Sequence, residues 1–171
     1  MRYYYSLLAI YAILYYTIAM KVIFCGHRTL NEKDKIREAL LIQIDKLLLN
    51  AESKGESITF YCGGYGDFDM LAAKTVDLLR KKYSDIKCEN IFITPYITQG
   101  YKQRNEFMSK QFDEIIYPPI ENAPYRLAII KRNEWMVKNC DIVICHVIYS
   151  WGGAARTLEF AIKNKKQIIR I

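Results

Sequence analysis

The sequence predicts an α/β fold, a three-layer sandwich with a mainly parallel sheet between helices. Three observations carry that expectation. From Met20 onward, short apolar runs of strand length alternate with longer amphipathic stretches. The runs KVIFC and DIVICHV read as strands buried on both faces. Glycine-bearing polar segments follow several of these runs and lead into helix-like stretches, the order of βαβ units.

Each element follows in turn. KVIFC (21–25) is the first strand and GHRTLN its exit loop. Residues 32–55 form a helix with an apolar stripe at Ile36, Leu40, Ile44, Leu47 and Leu48, closed by Gly55. SITFYC (57–62) is the second strand. DFDMLAAKTVDLLRKKY (67–83) is a second helix, with Asp67 and Asp69 at the end where the dipole favours negative charge. NIFITPY (90–96) is a third strand ended by Pro95. Residues 97–112 are polar and aromatic and read as irregular. A short strand within 112–120 stops at a double proline. Residues 125–140 form a helix offering Leu127, Ile130, Trp135 and Val137 to the core. DIVICHV (141–147) is a strand, 150–166 a last helix, and QIIRI (167–171) a last strand. Right-handed crossovers then place helices on both faces of a Rossmann-like sheet.

Composition sets the broad class. A chain of 171 residues, 51% apolar and 25% charged, suits one globular domain and excludes a disordered one. The net charge of +7 favours anionic partners, although the basic residues fall mostly on the solvent faces of helices. The five cysteines show no CxxC pair and sit largely in apolar runs. They indicate a reducing compartment, not a disulfide framework or a zinc site. With two histidines, no metal site and no cofactor are expected.

Residues 3–20 are uncharged and just long enough to span a bilayer. Lys21 opens a strand without any linker, so residues 1–19 are expected to be an apolar extension before a single domain at 20–171. A cytoplasmic location follows, with anchoring through residues 3–20 as the alternative and membrane contact only in that case.

In an open parallel sheet the ligand site lies beyond the carboxyl ends of the strands. The exits there are Gly26-His27-Arg28, Gly63-Gly64-Tyr65-Gly66-Asp67, Thr94-Pro95-Tyr96 and Ser150-Trp151-Gly152-Gly153, and glycine appears at three of the four. Glycine lets backbone amides approach an anion, and a helix N-terminus adds partial positive charge. Neither glycine cluster is a dinucleotide fingerprint or a P-loop; a plain βα turn is the alternative for each. Arg28 is a natural phosphate partner at that rim, and Arg132 and Asn133 are either an ordinary helix-surface pair or point to the same crevice. Asp67 and Asp69 either cap a helix or reach a ribose hydroxyl, and Asp69 is also a candidate general base. Tyr65 and Trp151 either stack a base or shield the core edge. Thr157 joins this set, and Glu159 is either a plain helix glutamate or a second catalytic candidate beside Asp69.

Taken together, FCGHR, GGYGDFDMLAA, KRNEWMV and SWGGAARTLEFA resemble the SLOG superfamily, which unites the Lonely-guy enzymes, the DNA-processing protein A family and an uncharacterised bacterial branch with a GHR loop. The resemblance covers Met20–Ile171. It implies a Rossmann-like domain that binds a nucleotide or nucleotide-derived ligand across the glycine loops, as sensor or carrier. The alternative it implies is a nucleotide N-glycosidase that releases the base from a nucleoside monophosphate. Residues 150–159 depart from the family motif PGGxGTxxE: the proline is missing, an alanine replaces a glycine, and Glu159 follows Thr157 by two residues instead of three. Nucleic-acid binding is a third reading, supported by charge alone, with no specific nucleic acid expected. Rossmannoids of this kind often pair, so a homodimer is a further expectation.

Overall fold

The computed structural model describes residues 19–171; the apolar stretch before Ala19, with the anchor reading, lies outside the described residues. Among the described residues no helix is long and apolar enough to cross a membrane. The strands are β1 (Ala19–Gly26), β2 (Ser57–Cys62), β3 (Cys88–Ile93), β4 (Glu114–Ile116), β5 (Ile142–His146) and β6 (Gln167–Arg170). The helices are α1 (Lys33–Lys54), α2 (Asp67–Leu79), α3 (Lys102–Met108), α4 (Ala128–Lys138) and α5 (Gly152–Lys163).

The strands form one sheet in the order β4-β3-β2-β1-β5-β6, and every neighbouring pair is parallel. Strand alternation divides the core in two. Val22 and Phe24 of β1, Ile58 and Phe60 of β2, and Ile142 and Ile144 of β5 face α1 and α2. Ile23 and Cys25, Tyr61, and Val143 and Cys145 face α4 and α5 through Met136, Val137, Leu158 and Ala161. Both faces of β1 are therefore dry, which is why KVIFC shows no polar alternation. Each large apolar side chain buried there contributes about 1.5–3 kcal/mol.

Several boundaries differ from the sequence reading, among them β3, which spans Cys88–Ile93 instead of 90–96. β1 begins at Ala19, because Ala19 and Met20 already pair with Ser57 and Ile58. Residues 97–112 are not irregular throughout: a 3-10 turn at Gln99–Tyr101 leads into α3. That helix is too short to show a stripe, and it is held by Met108 and the following Phe112 against Cys62, Ala73 and Phe92. The helix expected from Tyr125 starts with a 3-10 turn, and α4 buries Ala128, Arg132, Met136 and Val137. Leu127, Ile130 and Trp135 are only half-buried, because the inward row runs at i, i+4 and i+8 through Ala128, Arg132 and Met136.

Candidate ligand-binding site

Strand order reverses at β1, with β2 on one side and β5 on the other. The chain leaves β1 toward α1 on one face and leaves β5 toward α5 on the other, so the two exits diverge and a crevice opens between them. The crevice is a cavity of about 440 Å³. Gly26, His27 and Arg28 line it from the β1 exit, and Gly63, Tyr65 and Asp69 from the β2–α2 turn. Arg132 and Asn133 line it from α4, and Trp151, Gly152, Gly153 and Thr157 from the start of α5. These twelve sequence candidates thus meet around one space. Gly64, Gly66, Asp67, Ser150 and Glu159 stand outside its lining.

Arg132 dominates the inner wall. It is 2% exposed, and its Nη1 donates to the carbonyls of Gly63 at 2.6 Å and Ile93 at 2.7 Å. Its Nε–H is buried without a partner. A buried donor left unmade costs about 1–3 kcal/mol, more beside a charge. Asp69 is the nearby counter-charge. Its carboxylate accepts from the Tyr65 amide at 3.3 Å. Burial pushes the Asp69 pKa up, while Arg132 and the Tyr65 and Gly64 amides oppose that rise. Burial lowers the Arg132 pKa, with Asp69 opposing. Asp69 therefore serves first to shape the loop and balance the arginine.

Gly63 owes its identity to this arrangement. A Cβ there would come within 2.7 Å of Arg132 Nη1 and 2.9 Å of Asp69 Oδ2. Gly66 is similarly constrained, since its Cβ would lie 2.8 Å from the Arg28 Cα. What presses on the glycines of the β2–α2 turn is the protein itself. Gly152 and Gly153 differ: nothing lies within 4 Å of a Cβ at either. They open α5, whose Trp151 N-cap makes no side-chain capping bond and whose first turn holds no acidic residue. The Thr157 hydroxyl donates to the Gly153 carbonyl at 2.8 Å, and Asn133 Nδ2 donates to that hydroxyl at 3.0 Å. Asn133 thus fixes the start of α5 from α4. At the floor, the Cys25 thiol donates to the Ala154 carbonyl at 3.2 Å. Burial drives its pKa far up, so it is an inert thiol.

The mouth is aromatic. Trp151 is 72% exposed and stacks on Tyr149 with ring centroids 5.3 Å apart. Tyr149 in turn lies 4.9 Å from the His27 ring. His27 Nε2 accepts the Ile148 amide at 2.8 Å, so this nitrogen faces the protein. Arg28 is exposed at the same rim.

Other candidates are occupied elsewhere. Asp67 pairs with Lys33 at 2.9 Å and accepts the Leu30 amide at 3.4 Å; the bond from Lys33, then that amide, holds its carboxyl below the usual range. Glu159 lines an adjoining groove between α4 and α5, which shares Asn133, Gly153 and Thr157 with the cavity, and it pairs with Lys163 at 3.0 Å. It lies one residue past the buried Leu158, a turn of about 100° away from the sheet. Two contributors escaped the sequence reading. Tyr149 adjoins the quoted SWGG and was legible as one of an aromatic pair. Arg104 of α3 donates to the Gly64 carbonyl and stacks 4.2 Å from the Tyr65 ring centroid; it sits in a segment without periodicity.

No family model and no curated protein matches the chain. Solved structures do. DNA processing protein A from Helicobacter pylori, described for its single-stranded DNA binding mode, matches with a TM-score of 0.59 and 16% identity over 92% of this chain and 67% of that one. The Streptococcus pneumoniae DNA processing protein A gives 0.56 and 15% over 88% of this chain. The structural-genomics target TM1055 gives 0.52 and 15%, over 87% of this chain and 72% of that one. The chain spans half the length of the S. pneumoniae protein. At these identities the likeness concerns architecture: this chain has the Rossmann-like fold that DNA processing protein A also has.

Proposed function

We propose that the protein binds a nucleotide or nucleotide-derived ligand in this cavity, as a sensor or carrier. The observation that carries the reading is Arg132, a buried cation that lines the cavity and keeps an unmet Nε–H. Arginine suits phosphate geometry, and this guanidinium stands in the cavity wall with donor capacity left over. The uncapped start of α5 at Gly152-Gly153 provides backbone amides for the same charge. Trp151 and Tyr149 offer an exposed ring face on which a base stacks. Arg28 supplies a further cation at the mouth.

A nucleotide N-glycosidase is the second reading. Its support is Asp69, a cavity-wall carboxyl whose pKa burial raises toward the range of a general acid. Glu159 gives it no help, because that side chain belongs to the outer groove. Single-stranded nucleic acid is a third reading, supported by the net charge of +7 and by the H. pylori neighbour.

A thermal-shift screen of the full chain against nucleoside mono- and diphosphates, cyclic nucleotides and ADP-ribose tests all three. At about 100 Kd a native-state ligand adds about 2.7 kcal/mol of stability. The expected result is a shift that disappears in Gly153→Val. Release of free base from the hit moves the assignment to the glycosidase. Binding that tolerates many sequences and falls steeply with salt moves it to nucleic acid. A cooperative melt that no nucleotide shifts overturns the main reading.

A further inference from the structure

We propose that His27 is a positioning residue whose neutral ring holds the Ile148–Trp151 rim loop in its ligand-ready shape, so that proton uptake by the ring releases the loop. The proposal rests on the binding reading for its consequence, but not for its geometry.

The Ile148 amide donates to His27 Nε2 at 2.8 Å, and the Tyr149 amide points to the same nitrogen at 3.5 Å. A ring nitrogen that accepts an amide proton carries none of its own. The imidazole is therefore neutral, with its proton on Nδ1. The loop it holds has little else to fix it, since Ile148, Tyr149 and Trp151 are 68%, 48% and 72% exposed. Ring contacts continue the hold, from His27 to Tyr149 at 4.9 Å and from Tyr149 to Trp151 at 5.3 Å. The same loop runs directly into Gly152, the first residue of α5. Moving it thus moves both the stacking face and the backbone amides of the candidate site.

Protonation puts an N–H on Nε2, facing the two amide donors, and both bonds are lost. The groups around the ring do not offset this. His146 of β5 meets it edge-on with centroids 6.3 Å apart, and is itself hydrogen-bonded through Nδ1 with the Ile171 carbonyl at 2.9 Å. Tyr149 covers it from the rim, Arg28 follows it in the chain, and Asp67, toward α1 and α2, is already paired with Lys33. Burial and then His146 lower the His27 pKa below its ordinary value of 6.5. For a base whose folded pKa is depressed, the latch is complete above 6.5 and is lost as pH falls through the lowered folded value.

The test uses the full chain with Trp135→Phe, leaving Trp151 as the sole tryptophan. Trp151 fluorescence is followed from about pH 8 to about pH 5, where an unperturbed histidine titrates, without ligand. A single reversible transition is expected below the ordinary histidine value. His27→Gln places a non-titrating acceptor at the reach of Nε2 and abolishes the transition, while His27→Ala shows the released signal at every pH. ADP-ribose serves as the binding probe, because its diphosphate does not titrate in this range. Its affinity falls about tenfold on acidification of wild type, the equivalent of one to two net hydrogen bonds, and stays flat in H27Q. A transition that persists in H27Q, or a wild-type signal that does not change with pH, overturns the proposal. Failure of ADP-ribose to bind at any pH counts against the binding reading, while the ligand-free fluorescence still decides the latch.

Discussion

Substituting Gly63 by alanine adds one methyl group at the point where the β2–α2 turn meets the buried arginine. The methyl would sit 2.7 Å from Arg132 Nη1 and 2.9 Å from Asp69 Oδ2. An ordinary contact needs over half an ångström more, so the guanidinium must shift. Arg132 cannot shift freely, because it is 2% exposed and Nη1 is bonded to both Gly63 and Ile93. Losing one charge-assisted bond costs about 1.5–3 kcal/mol, and forced overpacking about 1–3 kcal/mol. Partial relaxation makes these overlap, so G63A is expected to lose about 2–4 kcal/mol. For a domain of this size that is a fall in Tm of about 4–16 °C. Gly153→Ala is the control: its Cβ meets nothing within 4 Å, and alanine in a helix gains up to about 1 kcal/mol over glycine. G153A should therefore melt at or above wild type while narrowing the cavity it lines. Urea unfolding of both variants decides the matter. If G63A unfolds within experimental error of wild type, the arginine clamp is not what the glycine serves.

Arg132→Met should destabilise by about 3 kcal/mol by leaving the Gly63 and Ile93 carbonyls unpaired, and should remove the nucleotide-dependent thermal shift. Trp151→Ala should leave Tm nearly unchanged, since the ring is 72% exposed. In titration calorimetry it should weaken a base-bearing ligand by about 1–3 kcal/mol. Glu159→Gln should change stability by less than about 0.5 kcal/mol, because its pair with Lys163 is exposed, and should bind ligand as wild type does. Asp67→Asn should be less stable than wild type at neutral pH. Its folded pKa is lowered, mainly by Lys33, so its contribution is present above the ordinary carboxylate value and lost as pH falls through the lowered one. Denaturation at stepped acid pH should show the gap between D67N and wild type closing.

The architecture was legible because a doubly covered parallel sheet writes itself into the sequence as unbroken apolar runs such as IVIC and ITFYC, separated by helical stripes. The position of the crevice was legible for the same reason, since strand exits are readable once strands are. The purpose of the glycines was not. GGYG reads as an approach route for a ligand, yet Gly63 and Gly66 give room to Arg132, Asp69 and the Arg28 backbone. Those contacts join residues up to 69 positions apart, beyond the reach of local pattern. The burial of Arg132 was hidden because a polar KRN triplet normally marks a solvent face. The outward turn of Glu159 was computable from Leu158 and Ala161, which fix the inner face of α5. Arg104 was not, because α3 is too short for a period to show.

The place of β1 in the sheet also carries a consequence for biosynthesis. β1 is the first described strand and lies at the centre, and its second neighbour is β5, with Lys21 bonded to Asp141 across 120 positions. During translation β1 and β2 can pair early, but the other edge of β1 stays bare until β5 has left the ribosome. Non-local parallel pairing of this kind forms late and slowly, and a bare apolar edge invites intermolecular pairing while it lasts. The nascent chain is therefore most vulnerable to aggregation between emergence of SITFYC and emergence of DIVICHV, and a chaperone that shields strand edges would act on it in that interval.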